Sequence, residues 1–146
     1  MPYRRLLVPL DDSPTAQRGL GEALALAREL RGALVLLHVV ENAGAHPLGE
    51  KRTAPALLAG TLAELARARE LLEPRRKAFQ AQATVEVLVA PSVPHALCDY
   101  AAQNGISLIA LSSHGRSGFR RLVMGSVAEA VLRNSRVPVL VFPRQE

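Results

Sequence analysis

Leu6-Leu7-Val8-Pro9-Leu10 runs straight into Asp11-Asp12-Ser13-Pro14. A short unbroken apolar run stopped by turn formers reads as a strand buried on both faces. Such strands belong to parallel sheets covered by helices, so strands and helices should alternate along the rest of the chain. Downstream, Ser13 supplies an N-cap and Pro14 a first-turn proline. Ala16, Leu20, Ala23, Leu24, Ala27 and Leu30 then recur at helical spacing until Gly32 stops the helix. Residues 33–40 (ALVLLHVV) form a second buried strand. Residues 41–60 hold Gly44, Pro47, Gly49 and Pro55 without clean periodicity and read as a loop.

Thr61 with Glu64 makes a capping box for a helix marked by Leu58, Leu62, Leu65 and Leu72, which Pro74 kinks or ends. Residues 84–90 (TVEVLVA) give a third strand with Val85, Val87 and Val89 on one face. A helix over 94–103 turns Leu97 and Ala101 inward and ends at Gly105. Residues 106–111 (ISLIAL) are the fourth strand. Ser126 then caps a helix with Glu129 three residues on, and Val127, Ala130 and Val131 form its buried side. The fifth strand lies between Val137 and Phe142.

This alternation predicts an α/β fold: a five-stranded parallel sheet with helices on both faces, an open doubly wound, Rossmann-like sandwich. At 146 residues the chain has room for one domain, expected to span 1–146. Pro138 cannot donate to a ladder, so the last strand is expected at a sheet edge, where its valines offer a dimer seam.

Composition excludes several classes. No apolar run approaches the roughly 20 residues of a membrane span, and Tyr3-Arg4-Arg5 stands before the first strand in place of a signal peptide. A cytoplasmic protein is expected. The single cysteine, Cys98, cannot form an internal disulfide, and its apolar helical setting predicts a buried, inert thiol. The net charge of +5 comes mainly from scattered arginines, and aromatic residues make up 3%, which leaves no stacking platform for bases. No nucleic-acid partner is expected. Arg116, Arg120 and Arg121 form the one basic group suited to a phosphate.

In open parallel sheets a ligand sits outside the carboxyl ends of the strands, where successive crossovers leave in opposite directions. The loop after the fourth strand runs from Ser112-Ser113-His114-Gly115-Arg116 to Met124-Gly125-Ser126. Gly115 and Gly125 permit close backbone approach, and Ser126 stands where unpaired amides at a helix N-terminus favour an anion. A phosphate cradle fits these residues; so does a pair of turns followed by a simple cap.

Other chemistries fit less well. The P-loop lysine with its following Ser or Thr is missing, so any hydrolysis should be slow. Asp11-Asp12-Ser13 stands where a dinucleotide fingerprint would have its glycines, which argues against NAD. Asp11 and Asp12 could hold a metal as in receiver domains, but Ala90-Pro91-Ser92 and Pro143-Arg144 replace the acceptor aspartate and the lysine. Asp11 at a strand end suits a ribose hydroxyl. His38, His46, His95 and His114 have no zinc-like spacing. A triad drawn from Ser126, His114 and Asp11 lacks a nucleophile elbow, so no catalytic or metal-ligating residue is assigned.

The segments Arg5 to Asp11, Leu37-His38-Val39, Pro94-His95, Ser113-His114-Gly115 through Gly125-Ser126, and Val137 to Val141 together resemble the universal stress protein family across nearly the whole chain. Its nucleotide-binding members carry glycine, two residues, glycine, nine residues, glycine, then Ser or Thr. Gly115, Gly125 and Ser126 match the last three positions, while Ser112 stands in place of the first glycine.

The resemblance implies a stress regulator or sensor binding ATP or another adenine nucleotide, AMP or cyclic AMP included, with magnesium or manganese accompanying the phosphates. By the same resemblance Pro9, Leu10 and Asp11 border the adenosine, and the main chain of Val39 meets the adenine edge. Leu111, Ser112, Gly115, Arg116, Gly125, Ser126 and Val127 surround ribose and phosphates. It also implies a homodimer through the last strand. The alternatives are a nucleotide-independent dimeric regulator, as in members without the motif, and a slow ATPase.

Overall fold

A computed structural model describes residues 3–9, 14–41, 70, 83–112 and 125–143, with the backbone alone for 14–20 and 40. The elements in chain order are β1 (Arg5–Pro9), α1 (Pro14–Leu30), β2 (Ala33–Glu41), β3 (Ala83–Ala90), α2 (Val93–Gln103), β4 (Leu108–Ser112), α3 (Ser126–Asn134) and β5 (Val139–Phe142). The strands form one sheet in the order β3-β2-β1-β4-β5, and every pairing is parallel. The predicted α/β architecture is therefore the observed one. The helix expected between Leu58 and Pro74 lies outside the described residues except for Glu70, which is helical.

The sheet separates two apolar layers. On one face Leu6, Val8, Leu34, Leu36 and Ala110 pack against Ala23 and Ala27 of α1. On the other, Leu7, Val35, Leu37, Ile109 and Leu111 pack against Leu97, Tyr100 and Ala101 of α2 and Ala128 and Val131 of α3. Successive strand residues feed opposite layers, which explains why these strands are apolar at nearly every position.

Several boundaries differ from the sequence reading. β4 starts at Leu108 rather than Ile106, because the Ile106 amide bonds Ala101 O at 3.3 Å to close α2, with Gly105 at φ 66° as its left-handed stop. β5 starts at Val139: the Ser135 hydroxyl first closes a turn on Val137, accepting from its N–H at 3.1 Å and donating to its O at 2.7 Å. Pro138 thus precedes the strand it was assigned to, and its carbonyl accepts from Ile109 N at 3.0 Å. The edge position inferred from it is observed.

α1 ends differently too. Arg31, not Gly32, adopts the left-handed conformation, at φ 52°. Gly32 N bonds Ala27 O at 2.9 Å and Arg31 N bonds Arg28 O at 3.1 Å, the paired bonds of a Schellman stop. Gly32 is there for space: an added Cβ would sit 3.2 Å from Tyr3 O, Arg4 O and Leu6 Cδ1. Arg31→Gly is therefore expected to stabilise the protein by about 1 kcal/mol, read as a rise in thermal midpoint. Unchanged or lowered stability would contradict this account of the helix end.

Candidate functional site

The crossover direction reverses between β1 and β4. From β1 the chain builds outward through β2 to β3, while β4 lies on the other side of β1 and is followed outward by β5. In open parallel sheets of this order the carboxyl ends of such a pair, here β1 and β4, are where ligands bind. Pro9 closes β1, half-buried, in register with Leu37. Leu111 is buried at 6% exposure and Ser112, half-buried, ends β4 opposite Phe142. Val39 stands two residues beyond Leu37 on β2 and packs against the α2 and α3 layer. Gly125, Ser126 and Val127 open α3, the helix reached from β4. Leu10, Asp11, Gly115 and Arg116 lie outside the described residues, as do Arg120, Arg121 and His114.

The start of α3 corrects the sequence reading. Gly125 occupies the N-cap at φ −57° and ψ 153°, and no side chain among the described residues caps the helix. Ser126 is the first helical residue and is exposed, so it does not cap. Glu129 pairs with Arg133 at 2.7 Å in place of a capping box. Val127, expected inside, is 38% exposed; Ala128 and Val131 form the buried stripe with the spacing of one helical turn. The Gly125 carbonyl accepts from Glu129 N at 2.9 Å, which leaves the amides of the first turn without a helical acceptor. The Gly125 dihedrals are open to any L-residue, so the backbone alone does not demand glycine there.

At the neighbouring β3 end, Ser92 is the N-cap of α2 but makes no capping bond; its hydroxyl instead lies 3.0 Å from His95 Nδ1. Among the described residues no group of three His, Cys, Asp or Glu could hold a metal ion, and no helix is long and apolar enough to cross a membrane. Cys98 is half-buried, not fully buried as expected, with Sγ 4.0 Å from Val131 O. Burial first, and the Asp99 charge second, push its thiol up, so the nucleophilic thiolate is disfavoured.

Residue-type reasoning missed a polar contact inside the apolar layer. The Tyr100 hydroxyl of α2 donates to Glu86 Oε2 of β3. Glu86 is the one charged residue among Ala83–Ala90 and Tyr100 is 6% exposed, so an acid in a valine strand was the available signal. Arg5 lies on the same side: its charge and hydrogen bonding to the Tyr100 hydroxyl oppose the effect of Glu86.

The family model described as "Universal stress protein family" matches residues 2–143. The universal stress protein YxiE of Bacillus subtilis is 29% identical over 153 aligned positions, covering 95% of this chain and 98% of that protein. The structure of universal stress protein UspA from Lactobacillus plantarum superposes with a TM-score of 0.74 at 29% identity, over 96% of this chain and 97% of that one. The universal stress protein from Archaeoglobus fulgidus in complex with dAMP shares the fold, with a TM-score of 0.64 at 22% identity, over 97% and 98% of the two chains. A parallel sheet of this order, matched by the family model over nearly its whole length, makes the chain a member of the universal stress protein family.

Proposed function

We propose that residues 1–146 act as one domain that binds ATP or a related adenine nucleotide, AMP or cyclic AMP included, in the crevice between β1 and β4. The bound nucleotide reports cellular state to partners in the cytoplasm. One observation carries the reading: α3 opens beside the switch point with uncapped amides and a glycine N-cap whose conformation does not require glycine. A glycine kept where the backbone would accept any residue fits a ligand that needs the space. Uncapped first-turn amides, at the positive end of the helix dipole, suit a phosphate.

In this reading Asp11 takes a ribose hydroxyl and Val39 meets the adenine edge with its main chain. Gly115, Arg116 and Ser126 hold phosphates, while Pro9, Leu10, Leu111, Ser112 and Val127 form the walls. Magnesium or manganese would arrive with the phosphates. Binding of dAMP by the Archaeoglobus fulgidus relative supports an adenine ligand.

Calorimetry and thermal shift on nucleotide-stripped protein test this with ATP, AMP and cyclic AMP. At about 100 times the dissociation constant, a ligand specific to the native state adds about 2.7 kcal/mol of stability, a midpoint rise of several degrees. Absence of heat and of thermal shift with all three ligands would defeat the proposal. Phosphate release with magnesium no faster than in buffer would dismiss the slow ATPase.

Ser112, whose Cβ replaces a glycine of the family motif, favours the second reading, a nucleotide-independent homodimer. In that reading the dimer forms through β5, an edge strand exposing Leu140 at 36%. A monomeric mass in sedimentation at micromolar concentration would remove it.

A further inference from the structure

Each crossover returns the chain from the carboxyl to the amino end of the sheet, so α1, α2 and α3 all end beside the amino ends of the strands. Three helix C-termini put about half a negative charge each at that edge. Arg28 in the last turn of α1 and Arg133 in the last turn of α3 already answer it. Three further arginines stand at the same edge. Arg4 immediately precedes β1, Arg31 follows α1 ahead of β2, and Arg136 lies in the turn ahead of β5. All three are exposed, and none pairs with a carboxylate among the described residues. Exposed Glu29 stands against them at the end of α1, leaving an excess of positive charge at this edge.

Cross-strand bonds fix where these residues begin. Ala33 N bonds Arg4 O at 2.8 Å, which sets Arg4 and Arg31 just ahead of the neighbouring strands β1 and β2. β5 lies two strands beyond β1, with Pro138 O held by Ile109 N. From β2 to β5 the row crosses three strand intervals, roughly 14 Å. An extended peptide rises about 3.3 Å per residue and turns alternate side chains to one side, so a stretch of four or five residues spans the row.

We propose that this amino-end arginine row is a docking surface for an acidic segment of a partner protein, separate from the crevice at the opposite end of the strands. The planar fork of arginine matches a carboxylate through two parallel hydrogen bonds, and side chains free of ion pairs among the described residues are available to do so. Nucleic acid suits the row less well. Three phosphate contacts give a shallow salt dependence, a slope of about −2.7, and Tyr3, 36% exposed, is the one large aromatic exposed among the described residues.

The test is fluorescence anisotropy with a labelled octaglutamate peptide at low ionic strength, on the full chain with and without saturating ATP. The triple variant Arg4→Gln, Arg31→Gly, Arg136→Gln should bind roughly tenfold more weakly. Arg133→Gln, which removes the arginine already paired to Glu129, should change binding less than about twofold. Because Arg31→Gly relieves a left-handed arginine, weaker binding by the triple variant is not a symptom of unfolding, and its thermal midpoint checks this directly. No measurable peptide binding, equal binding by wild type and triple variant, or displacement of the peptide by ATP would overturn the proposal. Tighter binding of an oligothymidylate of equal length, lost in the same triple variant, would overturn it in favour of nucleic acid. Peptide binding that persists in the absence of any ATP binding supports the row independently of the nucleotide reading.

Discussion

Gly125→Val is expected to abolish ATP binding in calorimetry while the protein stays folded. The N-cap dihedrals of −57° and 153° lie in a region valine adopts freely, so no backbone strain accompanies the change. Valine is a poorer N-cap than glycine, which costs about 1 kcal/mol or less, a small part of the stability of a domain this size. Its isopropyl group, however, would fill the space beside the amides of Ser126 and Val127 where the proposed phosphate would approach. A loss of roughly a hundredfold or more in affinity, about 3 kcal/mol, is expected. Cys98→Ala, set on α2 against the α3 backbone at Val131, should leave binding unchanged and serves as the control. Wild-type affinity in the Gly125 variant would show that the phosphates, if bound at all, sit elsewhere.

Tyr100→Phe should destabilise the protein by about 1–3 kcal/mol at neutral pH, because the Glu86 carboxylate inside the α2 layer loses a donor. The same pair predicts how stability changes with pH. The Tyr100 phenol is pushed up to about 12, by burial first and then by the hydrogen bond and charge of Glu86, with Arg5 pulling the other way. The folded protein therefore holds this proton more tightly than the unfolded chain, whose tyrosine titrates near its ordinary value of about 10. The stabilisation is complete below about pH 10 and disappears as pH rises through about 12. Denaturant midpoints of wild type and Tyr100→Phe should converge over that interval. A constant gap would show that the hydroxyl contributes by packing alone.

The apolar runs of the chain were enough to place the strands in order, because a strand buried on both faces leaves a pattern that needs no partner to interpret. Pro138 put β5 at the edge for a local reason, the missing amide, even though the residue itself lies just before the strand. Three features were hidden because a neighbour in space decides them. Gly32 looked like a helix stop, whereas Tyr3 O, Arg4 O and Leu6 Cδ1 leave no room for its Cβ and the turn is made by Arg31. Ser126 looked like a cap because its residue type suits one, yet the helix begins one residue earlier than such a cap would set it, with Gly125 at the N-cap and Ser126 already helical. Val127 appeared to belong to the buried face until the α2 contact selected Ala128 and Val131. The Glu86 and Tyr100 pair spans two elements, so the acid in a valine strand marks one partner and leaves the other unnamed. Within the candidate site, the strand ends were legible and the start of α3 was legible to within one residue, while Asp11, Gly115 and Arg116 lie outside the described residues.

Among the described residues β5 is stitched to the sheet along one side only, through β4, and its last rung joins Phe142 to Ser112, a wall of the proposed crevice. Fraying of so short an edge would begin at low free energy and would unfasten that wall with it. Whatever laid another strand along the open side of β5 would therefore damp the motion of the proposed pocket, and by reciprocity a ligand holding that wall shut would tighten the grip on the added strand.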